Sequence, residues 1–390
     1  MDRGPAAGRR DFGAIIVVIP ARENFDLCPG ALSALSWHIP SRSVKSSIRE
    51  LRKSVLKRAF DHKKKGSVEL RGAVKFLFDQ RDNLIGDMLV NTIAFRAIKN
   101  KYPAWQIHVL AGPDNSEVVR DNPCVDKVHD MSGTISNLNR LRREKIDIYY
   151  FHKNRLRLQD FLFLKYTGAQ LNIGRNKEEY RLFDHSLEDP GGTERDRYLG
   201  FLRFFAIDGT KYAYEFPLGD EELANARSYL STLPGQNTIV FNRYGSPDGK
   251  LFSKDMSCKL IAEINLLYPD ARIIMLCPPV HRGPTLEIKR ELGYSNVYAA
   301  THIETIRDSA AIIRESDSVV TPDTSIVHIA CAYDKPMVCV YRDHDELARW
   351  RPFSNKAECL LPISPSRDVN DVDMNAFRRA LARTRSLYGG

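Results

Sequence analysis

The stretch SVVTPDTSIVHIACAYDKPMVCVY, residues 318–341, decides the fold of this chain. An apolar run breaks at Pro322, an amphipathic run follows, and a second apolar run starts after Pro336. This pattern predicts a strand, a helix and a second strand, joined by turns. Because such a unit brings its two strands together in parallel, the stretch favours an α/β fold.

Three polar residues, Asp323, Thr324 and Ser325, fall where the predicted helix begins, at the carboxyl end of its strand. Free backbone N–H groups and the positive end of the helix dipole meet there, which suits a phosphate or diphosphate. His328 follows Thr324 by one helical turn and could face the same ligand. Alternatively, Asp323 or Thr324 only caps a helix and His328 is a core histidine. This stretch alone leaves both interpretations open.

A second strand–turn–helix pattern spans residues 74–92, and its helical part ends near Lys101. Gly86, in the turn, would let the backbone approach a ligand closely. Asp87 follows it and would lie in the first helical turn at the carboxyl end of the strand. A carboxylate there could complement the helix dipole, or it could serve as a general base.

A third segment, residues 240–253, combines an apolar strand, small or hydroxyl residues and the run KLFS at 250–253. In this order and at these separations, the three segments resemble the bacterial heptosyltransferases, glycosyltransferase family 9. The resemblance runs from about Val74 to the C-terminus. It departs from the family in two places. Ser325 stands where the donor turn often has glycine, and Thr-Glu-Arg at 193–195 lacks a histidine that many members have.

The resemblance implies an inverting transferase that moves a heptose from ADP-heptose to a hydroxyl of a lipopolysaccharide or lipooligosaccharide core. It implies that Asp87 is the catalytic base and that the loop containing Arg81, Asn83 and Gly86 lies on the acceptor side. The donor residues would be Ser246, Lys250, Asp323, Thr324, Ser325 and His328. Lys250 and the helix start would neutralise the departing diphosphate, so no metal ion and no cofactor is expected.

Apolar strands alternate with helical patterns from Val74 onward, in two consecutive sets of similar size. This alternation predicts two Rossmann-like domains facing each other across a cleft, the architecture called GT-B in glycosyltransferases. We expect an N-terminal appendage at 1–43 and a basic amphipathic helical segment at 44–72. An acceptor domain would follow at 73–234, and a nucleotide-sugar domain at 235–390, whose final helix packs back on the first domain.

Basic residues concentrate in the segment 42–71, which has 11 lysines and arginines against three acidic residues. Apolar residues recur there at helical spacing through Ser47–Phe60, which predicts a basic amphipathic helix. Such a helix could pack on the body of the protein. It could also bind an anionic membrane surface or an anionic glycolipid acceptor through residues 44–65. Nucleic acid fits less well, since aromatic residues do not interleave with these charges.

The composition is that of an ordinary soluble protein, with 43% hydrophobic and 27% charged residues and a net charge of +9. No apolar run approaches the roughly 20 residues of a membrane-spanning helix, and Ala14–Pro20 makes an unconvincing signal peptide. Seven scattered cysteines are typical of thiols in a reducing compartment. We therefore predict a cytoplasmic protein, with attachment to the inner face of the cytoplasmic membrane left open.

Two alternatives concern the chemistry. The runs Asp343-His-Asp345 and Asp371-Val-Asp373 have the spelling of a metal-binding Asp-x-Asp motif, but carboxylates at helix starts are the more usual explanation. The chain could also use another nucleotide sugar or a non-lipid acceptor, or be a catalytically silent scaffold that binds a nucleotide sugar. A dehydrogenase or a hydrolase is disfavoured, because neither a dinucleotide fingerprint nor a nucleophile elbow is present.

Overall fold

The computed structural model describes residues 54, 55, 57, 58, 61, 70, 72–130, 134–245 and 249–385. The predicted appendage at 1–43 and most of the basic segment at 44–72 therefore lie outside the described residues. Within the basic segment, residues 54, 55, 57 and 58 are helical. Lys57 donates to Glu179 at 2.8 Å and lies 4.4 Å from the centre of the Tyr180 ring. This part of the segment thus packs on the body of its own unit.

The first half of the chain builds a six-stranded sheet. Its strands are β1 (Lys75–Gln80), β2 (Gln106–Ala111), β3 (Lys127–Asp130), β4 (Ile148–Phe151), β5 (Leu171–Arg175) and β6 (His185–Leu187). The helices are α1 (Ile85–Lys101), α2 (Pro113–Val119), α3 (Thr134–Arg143), α4 (Leu158–Tyr166) and α5 (Glu194–Phe204). The strand order is β3-β2-β1-β4-β5-β6, and β4 runs parallel to both β1 and β5.

The second half builds another six-stranded sheet. Its strands are β7 (Thr238–Phe241), β8 (Arg272–Leu276), β9 (Val297–Ala300), β10 (Ser318–Pro322), β11 (Met337–Val340) and β12 (Ala357–Leu360). The helices are α6 (Asp220–Ser231), α7 (Lys254–Leu267), α8 (Arg282–Leu292), α9 (Ile306–Arg314), α10 (Ser325–Ala332), α11 (His344–Trp350) and α12 (Met374–Arg385). The order is β12-β11-β10-β7-β8-β9, and every neighbouring pair is parallel.

The inner strands of both sheets are buried because helices cover them. All four residues of β4, β7 and β11 are buried, which is typical of parallel strands with two covered faces. The final helix, α12, packs on the second sheet: Phe377 and Leu381 enter its core, and the Tyr268 hydroxyl donates to the Leu381 carbonyl at 2.6 Å. Packing of this helix on the first domain stays a prediction.

The chain divides into two compact units that do not follow its order in sequence. One comprises residues 1–79, 104–108 and 133–188; the other comprises 80–103, 109–132 and 189–390. Helix α1 belongs to the second unit, because it packs against α5 and α10. The sequence-based boundaries at 73–234 and 235–390 assign α1 and α10 to different domains, and these boundaries stay a prediction.

Within the described part of the chain, every helix is too short or too polar to span a bilayer.

Candidate active site

A cavity of about 760 Å³ lies within the second unit, where the turns after β1, β7 and β10 come together. Asp87, Lys250, Thr324 and His328, which the sequence places on three separate segments, all line it. Gly86, Asn83, Asp323 and Ser325 line it as well. Arg81 is half-buried and lies outside this lining. Ser246 falls in the gap at 246–248, outside the described residues.

The turn after β1 is held in place by Asn83. Its φ of 61° lies in the left-handed region, which asparagine adopts more readily than most residues. Its Oδ1 accepts from the backbone N–H groups of Asp114 and Asn115 at 2.8 and 3.1 Å, and its Nδ2 donates to the Asp114 carboxylate at 2.6 Å. Asn83 thus satisfies free donors at the start of α2, which is a structural role that the sequence did not indicate.

Helix α1 begins directly after this turn, and its first turn carries Gly86 and Asp87. The prediction that Asp87 lies in the first helical turn, at the carboxyl end of a strand, is confirmed. The residue before the helix, Leu84, gives it no side-chain cap. A Cβ at Gly86 would lie 3.3 Å from His328 Cδ2, so the missing side chain lets α1 lie close against α10.

The turn after β10 is built as the sequence predicts. Helix α10 begins at Ser325, and the Thr324 hydroxyl accepts from the N–H of Ile326 at 3.1 Å. Thr324 is therefore a helix cap, and it also lines the cavity. The two interpretations that the sequence left open for this residue are compatible.

His328 is a core residue with one side facing the cavity. Its side chain is buried, and its ring centre lies 5.7 Å from that of Tyr214 and 5.5 Å from that of Trp350. Burial, aided by the charge of Lys250, lowers its pKa to about 4, so the ring is neutral at pH 7. Its Nδ1 has no hydrogen-bond partner among the described residues.

Lys250 is the centre of a group of partly buried charges. Its ammonium lies 2.5 Å from Asp323 Oδ2 and 3.1 Å from Glu346 Oε2. Glu346 also accepts from Arg342 at 2.7 Å. Burial raises the pKa of Asp323, and the nearby charge of Lys250 opposes that rise. The lysine is thus held at the cavity wall by two carboxylates.

The turn that carries Lys250 is tied to the turn after β10. Asn242, just after β7, donates to the Thr321 hydroxyl at 2.9 Å and to the Tyr244 carbonyl at 2.8 Å. A Cβ at Gly245 would overlap the Lys250 carbonyl and lie 3.0 Å from Thr324 Cγ2. A glycine is required there because the backbone approaches both neighbours closely.

The cavity wall carries an excess of negative charge. Among the described residues that line it, Lys250 is the one lysine or arginine. The carboxylates of the lining are Asp87, Asp114, Glu117, Glu304 and Asp323. An anionic ligand would therefore depend on Lys250 and on the backbone N–H groups at the start of α10.

Several cavity residues were missed by sequence reasoning. Trp350 lines the cavity from the end of α11, and Tyr244 lines it directly after β7. The Tyr244 ring stacks on His281 with centres 4.0 Å apart and an angle of 9°. An aromatic residue at the carboxyl end of a strand was the available signal for Tyr244. For Trp350 there was none, since nothing in its local pattern distinguishes it from a core residue.

The two Asp-x-Asp runs occupy helix starts and turns. Asp343 caps α11 by accepting from the N–H of Glu346 at 2.7 Å. Asp371 accepts from the N–H of Ser364 at 2.9 Å, and Asp373 accepts from the N–H of Asn375, also at 2.9 Å. In the part of the chain that the structure describes, no group of three or more histidine, cysteine or acidic residues could hold a metal ion.

The run at 193–195, where the resemblance departs from the family, has structural contacts. Thr193 caps α5. Glu194 is buried and pairs with Arg349 of α11 at 2.7 Å. Arg195 donates to the Thr210 carbonyl at 2.7 Å and lies 3.7 Å from the centre of the Phe353 ring. These contacts fasten the start of α5 to the residues around α11.

Comparison with known proteins identifies the family. The model described as "Glycosyltransferase family 9 (heptosyltransferase)" matches residues 196–376. The lipopolysaccharide core heptosyltransferase OpsX of Haemophilus influenzae is 21% identical over 299 residues, which cover 73% of this chain and 83% of the relative. Residues 196–376 thus have the sequence of a family 9 glycosyltransferase.

Solved structures agree with this family 9 assignment at the level of the fold. A family 9 glycosyltransferase from Veillonella parvula superposes with a TM-score of 0.68 at 15% identity, covering 81% of this chain and 97% of that one. The ADP-heptose lipopolysaccharide heptosyltransferase II of E. coli gives a TM-score of 0.65 at 17% identity, with coverages of 80% and 99%. The predicted GT-B fold, with its two parallel six-stranded sheets, is confirmed.

Proposed function

We propose that this enzyme transfers a heptose from ADP-heptose to a hydroxyl of a lipopolysaccharide or lipooligosaccharide core, with inversion at the anomeric carbon. The names of two relatives support the donor and the acceptor class: one is a lipopolysaccharide core heptosyltransferase and the other an ADP-heptose lipopolysaccharide heptosyltransferase. The observation that carries the proposal is the cavity that Asp87 shares with Lys250 and Thr324.

In this proposal Asp87 is the general base. It accepts the proton of the acceptor hydroxyl while the hydroxyl oxygen forms a bond to the anomeric carbon. The bond between that carbon and the diphosphate oxygen breaks on the opposite face, and its electrons leave with ADP. A single displacement of this kind inverts the anomeric centre. The position of Asp87 in the first turn of α1, on the cavity wall, supports this role.

The donor diphosphate would bind to Lys250 and to the start of α10. Lys250 offers a partly desolvated positive charge, and the N–H groups around Ser325 offer hydrogen bonds and the helix dipole. His328, neutral at pH 7, can donate or accept a hydrogen bond. These groups would stabilise the departing diphosphate without a divalent metal. Ser246, outside the described residues, stays a predicted donor contact.

The partners follow from the same proposal. The donor is a nucleotide sugar, and the acceptor is an anionic glycolipid on the inner face of the cytoplasmic membrane. The basic segment at 44–65 would attract that surface electrostatically, each lysine or arginine contributing about 1 kcal/mol near anionic lipid. The protein would thus be a cytoplasmic enzyme that works at the membrane surface.

The decisive experiment separates catalysis from donor binding in Asp87→Asn. Because general-base catalysis contributes roughly 10²- to 10⁴-fold, we expect transfer from ADP-heptose to a purified core acceptor to fall by that factor. Calorimetric affinity for ADP should not fall, since the substitution removes no diphosphate contact and takes away a negative charge from the cavity wall. Glu304→Gln, which removes the same charge from an exposed position of the same cavity, is the control and should keep most activity. An Asp87→Asn enzyme with near-normal turnover would rule out the catalytic role.

The donor side has its own test. Lys250→Ala should weaken ADP binding by roughly tenfold or more, because a hydrogen-bonded charge to the diphosphate is lost. Unchanged affinity would remove Lys250 from the donor site. Titration of the wild-type enzyme with ADP-heptose, GDP-sugars and UDP-sugars identifies the donor. Transfer measured with and without EDTA tests the proposed independence from metal.

A further inference from the structure

We infer that Glu346 limits how tightly the active site holds a diphosphate, by acting as a second counter-ion of Lys250. The inference rests on the proposed function, in which Lys250 binds the donor diphosphate. Glu346 lies outside the cavity lining, on α11, and reaches the ligand only through the lysine. Glu346 is therefore a positioning residue. It does not contact the ligand, but it sets the strength of the contact between Lys250 and the diphosphate.

The geometry around Lys250 leaves few of its hydrogen-bond donors for a ligand. An ammonium group has three N–H donors. Two of them are directed to Asp323 at 2.5 Å and to Glu346 at 3.1 Å, so one stays available for a phosphate oxygen. Because Lys250 is the one lysine or arginine among the described residues of the lining, the diphosphate has to share it with two carboxylates.

The two carboxylates differ in how they are held. Asp323 is 4% exposed and stands at the end of β10, next to the cap of α10. Glu346 is 18% exposed and lies in the first turn of α11. Its N–H donates to Asp343, and its second carboxylate oxygen accepts from Arg342 at 2.7 Å. These contacts hold the carboxylate of Glu346 against Lys250.

The carboxylate of Glu346 repels a bound phosphate at short range. A phosphate oxygen in contact with Lys250 would lie within roughly 6 Å of Glu346. For partly buried charges, a repulsion over that distance corresponds to about ten- to a hundredfold in affinity. The wild-type enzyme therefore binds a diphosphate more weakly than the same site would without this charge.

This weakening acts more strongly on the product than on the donor. The diphosphate of a nucleotide sugar is a diester, whereas the terminal phosphate of free ADP is a monoester that takes on further negative charge near neutral pH. The repulsion from Glu346 therefore grows when the bond to the sugar breaks. We expect the residue to speed the release of ADP and to keep the product from inhibiting the enzyme.

The test is calorimetry of Glu346→Gln against ADP, AMP and adenosine. ADP affinity should rise about tenfold or more, AMP affinity by less, and adenosine affinity should not change, because the effect follows ligand charge. The gain should shrink as salt is added. Steady-state assays should show stronger inhibition by ADP. Asp345→Asn, which removes the same charge from an exposed position of the same helix, should leave all three affinities unchanged.

The conservative variant Glu346→Asp should keep the wild-type affinity for ADP, since it keeps the charge. Glu346→Ala repeats the measurement without the new amide. Equal or weaker ADP binding in both Glu346→Gln and Glu346→Ala, with wild-type melting temperatures, would overturn the inference and leave the proposed function intact. Failure of the wild-type enzyme to bind ADP at all would contradict the proposed function itself, and the inference with it.

Discussion

The turns after β1 and β10 line the same cavity and have the same strand–turn–helix form, yet they use their carboxylates differently. After β10, Thr324 caps the helix, and Asp323 is buried against Lys250. After β1, the helix has no side-chain cap, and Asp87 is half-buried on the cavity wall. One carboxylate is enclosed within the protein, and the other is accessible from the cavity.

The difference separates two demands on an active site. A residue that fixes a charged group must be enclosed, because burial strengthens its electrostatic interactions. A residue that exchanges a proton with a substrate must remain accessible to that substrate. Asp323 meets the first demand and Asp87 the second. The comparison therefore predicts that Asp323 contributes mainly to stability and Asp87 mainly to turnover.

The largest expected effect is on stability in Asp323→Ala. The substitution removes the closer and more deeply buried of the two counter-ions of Lys250 and leaves Glu346 as its remaining partner. We expect the free energy of unfolding to fall by about 3 kcal/mol, at the lower end for a broken buried ion pair. Asp87→Ala, at a half-buried position, should cost under about 1 kcal/mol. Urea unfolding followed by circular dichroism measures both. Equal losses in the two variants would remove the distinction between the turns.

The second expected effect is a loss of stability at low pH that is caused by His328. The unfolded chain takes up a proton on this histidine near pH 6.5, whereas the native protein does so only at about pH 4. Between these values the unfolded state binds more protons, so stability falls as the pH decreases. The loss amounts to about 3 kcal/mol over the interval.

The variant His328→Gln should lack this part of the pH dependence. Unfolding free energies of the two proteins, measured at pH 7.5 and pH 4.5, give the comparison. If the wild-type protein loses no more stability than the variant over this range, the buried neutral histidine is not the cause.

The smallest expected effect is on stability, and it concerns the packing of α1 on α10. Gly86→Ala places a methyl group 3.3 Å from His328, whose ring is enclosed by Tyr214 and Trp350. We expect a net loss of about 1 kcal/mol, despite the better helix propensity of alanine. Gly283→Ala, in α8 with open space around the new methyl group, should gain about 0.5 to 1 kcal/mol. A gain in both variants would show that the two helices can separate at low cost.

Local pattern was sufficient for much of the site. Thr324 as a cap and Asp87 in a first helical turn follow from strand–turn–helix signals within 20 residues, where apolar periodicity and turn chemistry act together. The alternating strands and helices likewise predicted two parallel sheets. These features were accessible because they depend on neighbours in sequence.

Contacts between distant segments were not accessible in this way. Lys250 and Glu346 are 96 residues apart, and Asn83 accepts from backbone N–H groups 31 and 32 residues further along the chain. No local signal in the sequence indicates either pair. The assignment of α1 to the same compact unit as α10 depends on such contacts as well, so it could not be inferred from the order of the elements.

The membership of α1 in the second unit has a consequence for synthesis of the protein. Leu89 and Ile93, buried in the finished molecule, leave the ribosome long before α10 exists. More than 200 residues separate Lys101 from Ser325, and at usual elongation rates that gap lasts roughly ten to forty-five seconds. During this time α5 is the earlier-made partner of α1. The nascent chain thus carries an incompletely covered apolar helix, which is the kind of surface that chaperones bind.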